Sequence, residues 1–197
     1  MTRRRIHFRF VLVALSAAVL CAVIILVVWP VSPTVAILGS VVLASPGRGL
    51  PSSFHVRQSI PMDQGMVVYY TFDHTDIQGT PGKCRFVSYV RREAIGWQTV
   101  ESYGGCQPVG AGSGPFTAVS RGWDIPGEAP WSEVHGVATG TGVDSLRVAW
   151  SDGMIHTAAV VDGHYLVTRS GRADVMQVET LDRAGMIVDT YNQVTSP

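Results

Sequence analysis

The chain has 197 residues, its 15 lysines and arginines are balanced by 15 aspartates and glutamates, and 46% of its residues are hydrophobic. The balance hides an asymmetry: four arginines and no acid precede residue 45, whereas 11 basic and 15 acidic residues follow it. An acidic remainder offers no basic face and excludes nucleic acid as a partner, while its roughly 145–150 residues suffice for one domain with a core of its own.

Arg3, Arg4, Arg5 and Arg9 lead into twenty uncharged, mostly apolar residues, Phe10 to Trp29. At 1.5 Å per residue this run makes a helix of about 30 Å, the thickness of a bilayer's hydrocarbon core. The arginines belong on the cytoplasmic side, which sends the rest of the chain outward. The expectation is therefore a cytoplasmic tail at 1–9 and a single-pass transmembrane helix at 10–29, with the C-terminal domain outside the cell membrane. The run exceeds the about 7–15 residues of a cleavable signal, and the small-residue stretch Val42-Leu43-Ala44 lies far beyond it, so the segment reads as an uncleaved signal-anchor. Leu20 before Cys21 does not suit lipidation, which leaves Cys21 as an inert membrane-buried thiol.

Trp29-Pro30 ends the apolar helix, because proline disfavours helical geometry in the residue before it. Thr34 to Ala44 is uncharged but only eleven residues long, too short to span a bilayer. It is expected as a juxtamembrane segment or a first strand. The turn-rich stretch Ser45 to Ser53 completes a linker at 30–53, and the extracytoplasmic β domain is assigned to 54–197, starting close to Phe54.

Beyond residue 54 no apolar pattern of helical spacing lasts three turns. Short segments rich in β-branched and aromatic residues recur instead between Gly, Pro and Asp-Gly punctuation. Ten strands are predicted: Gly65–Asp73, Cys84–Glu93, Trp97–Gly105, Phe116–Arg121, Ser132–Ala138, Ser145–Trp150, Met154–Val161, His164–Arg169, Val175–Leu181 and Met186–Tyr191. Their spacing predicts an all-β, antiparallel sandwich of about ten short strands.

One hairpin can be taken to its register. With Ala94-Ile95-Gly96 as a three-residue loop and Gly96 left-handed, Glu93 faces Trp97, Val90 faces Val100, Ser88 faces Ser102 and Phe86 faces Gly104. Continuing the count sets Cys84 opposite Cys106, close enough for a disulfide in an oxidising compartment. Cys84, Phe86 and Val90 would share a buried face with Cys106 and Val100. Closing this 23-residue loop contributes about 3 kcal/mol in the chain-entropy account.

The C-terminal third is a run of tight turns. Asp152-Gly153, Asp162-Gly163 and Asp182-Arg183-Ala184-Gly185 each separate two apolar segments. Leu146, Val148 and Trp150 alternate with Arg147 and Ala149, predicting one buried and one wet face. Val134-His135-Gly136-Val137, Val148-Ala149-Trp150-Ser151-Asp152-Gly153, Asp162-Gly163-His164-Tyr165 and Leu181-Asp182-Arg183-Ala184-Gly185 follow in order. Over residues 134–188 this pattern resembles the immunoglobulin-like β-sandwich ectodomains of uncharacterised, membrane-anchored bacterial proteins. The resemblance implies an immunoglobulin-like fold and carries over no functional residue.

Catalytic motifs are sparse. His156 and His164 flank the Asp162-Gly163 turn, where a two-residue turn pairs Val161 with His164 and Arg169 with His156, too far apart for a ligand pair. Asp73-His74-Thr75-Asp76 reads as a solvated polar turn rather than a metal site. No Gly-x-Ser-x-Gly elbow and no phosphate-binding glycine loop occurs. Trp123 and Trp131, at the ends of the 121–131 loop, are the candidate contact surface. The sequence thus predicts a membrane-anchored binding or sensing module without catalysis, cofactor or metal, whose partner is an envelope protein or cell-surface ligand. An anchored hydrolase or metal-dependent enzyme, and a structural spacer or assembly subunit, are the alternatives.

Overall fold

The computed structural model describes residue 21 and residues 32–44, 53–75, 78–109 and 115–192. The expected transmembrane segment and the tail before it lie outside these residues, apart from the exposed free thiol of Cys21. Among the described residues, no helix is long and apolar enough to cross a membrane.

Among the described residues, eleven strands form three antiparallel sheets. Sheet I is a meander of β1 (His55–Pro61), β2 (Gly65–Thr75), β3 (Pro81–Glu93) and β4 (Gly96–Pro108). Sheet II has the order β5 (Phe116–Trp123), β6 (Trp131–Ala138), β9 (His164–Ser170). Sheet III runs β11 (Ile187–Tyr191), β10 (Val175–Leu181), β7 (Ser145–Trp150), β8 (Ile155–Ala159). The ten expected strands are all present, and β1, within the residues that follow Phe54, is additional.

The segment expected as a juxtamembrane stretch or first strand is a helix, α1 (Pro33–Ala44). Ser32 Oγ accepts the Val35 N–H at 3.3 Å, and proline follows it at the first helical position, where its missing N–H costs nothing. Pro33 therefore opens a helix rather than prolonging a break. The helix lies on sheet I: Ala36 and Ile37 are buried with Val68, Tyr70, Phe72, Cys84 and Val90.

The other face of sheet I carries Val67, Tyr69, Val87 and Tyr89, which pack on Trp123, Ile125, Trp131 and Leu166. Sheet II in turn presents Ala118, Val134, Tyr165 and Val167 to Leu146, Val148, Trp150 and Val178 of sheet III. The layers therefore follow the order α1, sheet I, sheet II, sheet III. Strand β6, central in sheet II and covered on both faces, is buried along its whole length. At Gly136 a Cβ would come within 1.9 Å of Thr117 O and 2.9 Å of the Tyr165 hydroxyl oxygen, so only glycine fits.

In the β3–β4 hairpin, Ser88 pairs with Ser102, Phe86 with Gly104 and Cys84 with Cys106 as expected, and Cys84 and Cys106 are joined by a disulfide. Nearer the turn the register differs: Glu93 pairs with Gly96, Arg92 with Trp97 and Val90 with Thr99. The loop is the two residues Ala94-Ile95, and a bulge that leaves Val100 unpaired restores the count. A bulge turns the strand by one residue, so Val100 packs with Tyr89 and Tyr103 rather than beside Val90.

Leu146, Val148 and Trp150 are buried in alternation, as expected. Asp162 (φ 50°) and Gly163 (φ 73°) are both left-handed, the requirement of a type I′ turn. Val161 and His164 form a bridge, but β8 and β9 then part into different sheets. The expected pairing of Arg169 with His156 does not form, and Arg169 pairs with Ser132.

Candidate functional site: a polar seam and a serine–arginine cleft

Strand geometry places side chains two residues apart on the same face. Glu133 and His135 of β6 therefore both face sheet I, and the buried core there excludes water from them. Glu133 is 0% exposed and His135 3% exposed. The imidazole Nδ1 lies 3.2 Å from Glu133 Oε1, and neither carboxylate oxygen has a hydrogen-bond partner. An isolated carboxylate is costly in such surroundings; the imidazole is the polar group beside it. The ring of Tyr69 is 5.1 Å from that of His135. Its hydroxyl reaches Gly136 O at 3.4 Å and His164 Nδ1 at 3.2 Å.

Burial pushes the Tyr69 hydroxyl well above the usual tyrosine range. His164 is pushed down to about 4, first by desolvation and then by the charges of Arg57, Arg85 and Lys83. His164 is therefore a neutral imidazole at neutral pH, able to accept or donate one hydrogen bond at each nitrogen. The Glu133–His135 pair is closed by packing on both sides and offers no access for a substrate, whereas His164, at the end of the seam, is only half-buried.

A cleft of about 720 Å³ opens at the other end of β6. Its lining includes Ser120, Arg121, Ser132, Ser151, Arg172 and Asp174. Ser132 shapes it: its hydroxyl donates to Gly171 O at 3.1 Å and accepts the Ala173 N–H at 2.9 Å, folding the β9–β10 connection over the sheet end. Ser151 Oγ accepts the Asp174 N–H at 3.1 Å. Arg121 is held by Glu101, with its guanidinium 4.6 Å from the Tyr103 ring centre and 4.9 Å from that of Trp123. Arg172 pairs with Asp124 at 2.6 Å, and both side chains are largely exposed. Exposed pairs of this kind contribute little to stability, so Arg172 can exchange its partner for a ligand.

Trp123 and Trp131 do not form a contact surface. Each is 1% exposed, and their rings stack at 4.8 Å with 6° between planes. They close the β5–β6 hairpin by pairing across it, and Ile125 folds the loop inward with them. Asp73, at the end of β2, is exposed and bonds Ser53 Oγ; Asp76 lies outside the described residues. His156 sits by Trp150, with ring centres 6.2 Å apart, remote from the seam. Among the described residues, no group of three or more potential metal ligands converges.

Sequence reasoning passed over Glu133, His135 and the Tyr69–His164 contact. A two-residue spacing of Glu and His in a strand was the available signal, but it reads equally as a wet face until both neighbouring sheets are known. No family model, curated protein or solved structure matches this chain.

Proposed function

We propose that this chain is a membrane-anchored, extracytoplasmic β-sandwich module that binds a ligand without chemical conversion. The observation that carries the reading is the cleft at the Trp123–Trp131 end of sheet II. Its Ser132 and Ser151 hydroxyls are set by main-chain hydrogen bonds, its Arg121 and Arg172 by carboxylate partners, and no imidazole lines it beside Ser120, Ser132 or Ser151. Such a lining recognises a polar ligand and lacks the base that would activate a serine. The arginine cluster and apolar run at 3–29 support the anchored setting, and the turn residues shared with immunoglobulin-like ectodomains over 134–188 support that variety of sandwich.

The test is site-specific photo-crosslinking in intact cells, with the probe at Gly122 in the cleft and, as control, at Thr157 on the outer face of sheet III. A discrete adduct from Gly122, absent from Thr157 and lost on Arg172→Glu, is expected. The same adducts from both positions, or none from either, refute the cleft as the binding site. A membrane-impermeant reagent that fails to reach a C-terminal tag in intact cells refutes the orientation.

A further inference from the structure

We propose a second binding site, for a phosphate group, at the opposite end of β6 from the cleft, where Arg57, Lys83 and Arg85 come together on the face of sheet I that continues past the edge of sheet II. Cross-strand pairing assembles it. Thr71 of β2 is the pairing partner of Arg85, and on its other side Arg57 Nε donates to Thr71 Oγ1 at 2.9 Å. The next row along the sheet sets Asp73 opposite Lys83 and Lys83 opposite Gln107. Antiparallel partners share a face, so these side chains project to the side of the sheet that carries Tyr69. Tyr69 meets His164 there, and Gly105, next to Arg85 on β4, leaves open space where a side chain would stand.

Three properties suit this shelf to an anion. First, among the described residues none of the three cations is paired with a carboxylate, so their neighbouring charges are not neutralised by an ion pair. Second, Arg85 Nε is buried without an acceptor; the guanidinium's other contact is a long one, Nη1 to Gln107 Oε1 at 3.4 Å. A buried donor without a partner is costly, and an oxyanion supplies what it lacks. Third, the cations act jointly on one neighbour, since Arg57, Arg85 and Lys83 all disfavour a charge on His164, with Asp162 opposing them.

The charge is that of an anion site: three cations set against Asp73 and Asp162 leave a net positive charge for an oxyanion to balance. Two guanidinium groups flanking a threonine hydroxyl suit the three terminal oxygens of a phosphate. His164 and Tyr69 form the floor, and His164 is the natural reporter.

The test follows thermal unfolding of the full chain in neutral micelles, with sodium phosphate against sodium chloride at equal ionic strength, alongside the His164 imidazole resonance. Phosphate is expected to raise the Tm and to shift the resonance saturably, and chloride to do neither. Arg57→Gln with Arg85→Gln should abolish both responses. Lys83→Gln, at an exposed position that does not risk the fold, should weaken phosphate binding about tenfold. Phosphatidylglycerol vesicles that reproduce the shift assign the phosphate to a lipid headgroup, and vesicles without effect assign it to a soluble phosphate. An equal response to chloride, or a phosphate response that survives these substitutions, overturns the proposal. The cleft variant Arg172→Glu should leave the phosphate response intact, so the two sites stand or fall separately.

Discussion

Replacing His135 with leucine removes the imidazole beside Glu133 while keeping the volume of the site approximately filled. The consequence follows from burial. Glu133 is 0% exposed, both its oxygens lack a hydrogen-bond partner, and the imidazole at 3.2 Å is the polar group next to it. Breaking a buried pair by removing one member costs about 3–5 kcal/mol, because the other is left uncompensated. Replacing both members with apolar groups of similar volume is near neutral or stabilising. The single variant His135→Leu should therefore lose about 3–5 kcal/mol, and the double variant His135→Leu/Glu133→Met should recover most of that loss. At about 2–4 °C per kcal/mol for a domain of this size, the single variant melts roughly 6–20 °C lower. Urea unfolding followed by tryptophan fluorescence measures all three proteins, since Trp123 and Trp131 lie in the same cluster. A loss below about 1 kcal/mol for His135→Leu, or a double variant as unstable as the single one, would show that Glu133 is compensated by something other than His135.

Three further outcomes are expected. His164 has a value of about 4 in the folded protein against an ordinary 6.5, so the unfolded chain takes up a proton that the folded one refuses. Stability should fall as pH drops through 6.5 and level off below 4; because the group is only half-buried, the full linkage is discounted to about 1–2 kcal/mol. Urea titrations at pH 7 and 4.5 on His164→Asn should show a correspondingly shallower loss, and equal slopes would refute it. Replacing Cys84 and Cys106 with serine should cost about 3 kcal/mol, while mass spectrometry of the unreduced parent should find neither of these thiols alkylatable. Trp123→Ala and Trp131→Ala should each cost about 3–5 kcal/mol; melting temperatures unchanged from the parent would return these residues to the surface.

The β class and the strand list were legible because turn residues punctuate this chain so regularly. The Cys84–Cys106 pairing was legible because it depends only on a register count within one hairpin. That count survived a misplaced turn: the two-residue loop at Ala94-Ile95 and the unpaired Val100 offset each other, so only the half nearer the turn slipped. The helix at Pro33–Ala44 was not legible as such, since a short apolar run fits strand or helix equally and its docking on sheet I decides. Trp123 and Trp131 frame a loop and looked available; their burial comes from sheet I, contributed by residues far back in the chain. The same cause hid Glu133 and His135. Alternation of polar and apolar residues signals a half-wet strand, and β6 departs from it because a second sheet covers its polar side.

The parting of β8 and β9 after the Asp162-Gly163 turn has a consequence for the order of assembly. Sheet I joins neighbours in sequence, so its contacts are local and quick to form. Sheets II and III are interleaved: β6 waits for β9 while β7 and β8 enter the other sheet, and β10 must return to β7. Neither can be completed without the other, which makes them one cooperative unit of high contact order and slower formation. Both bridging cysteines sit in the local half. In oxidative refolding the Cys84–Cys106 bond should thus close before Trp150 becomes buried, giving the later sheets an already cross-linked surface to assemble on.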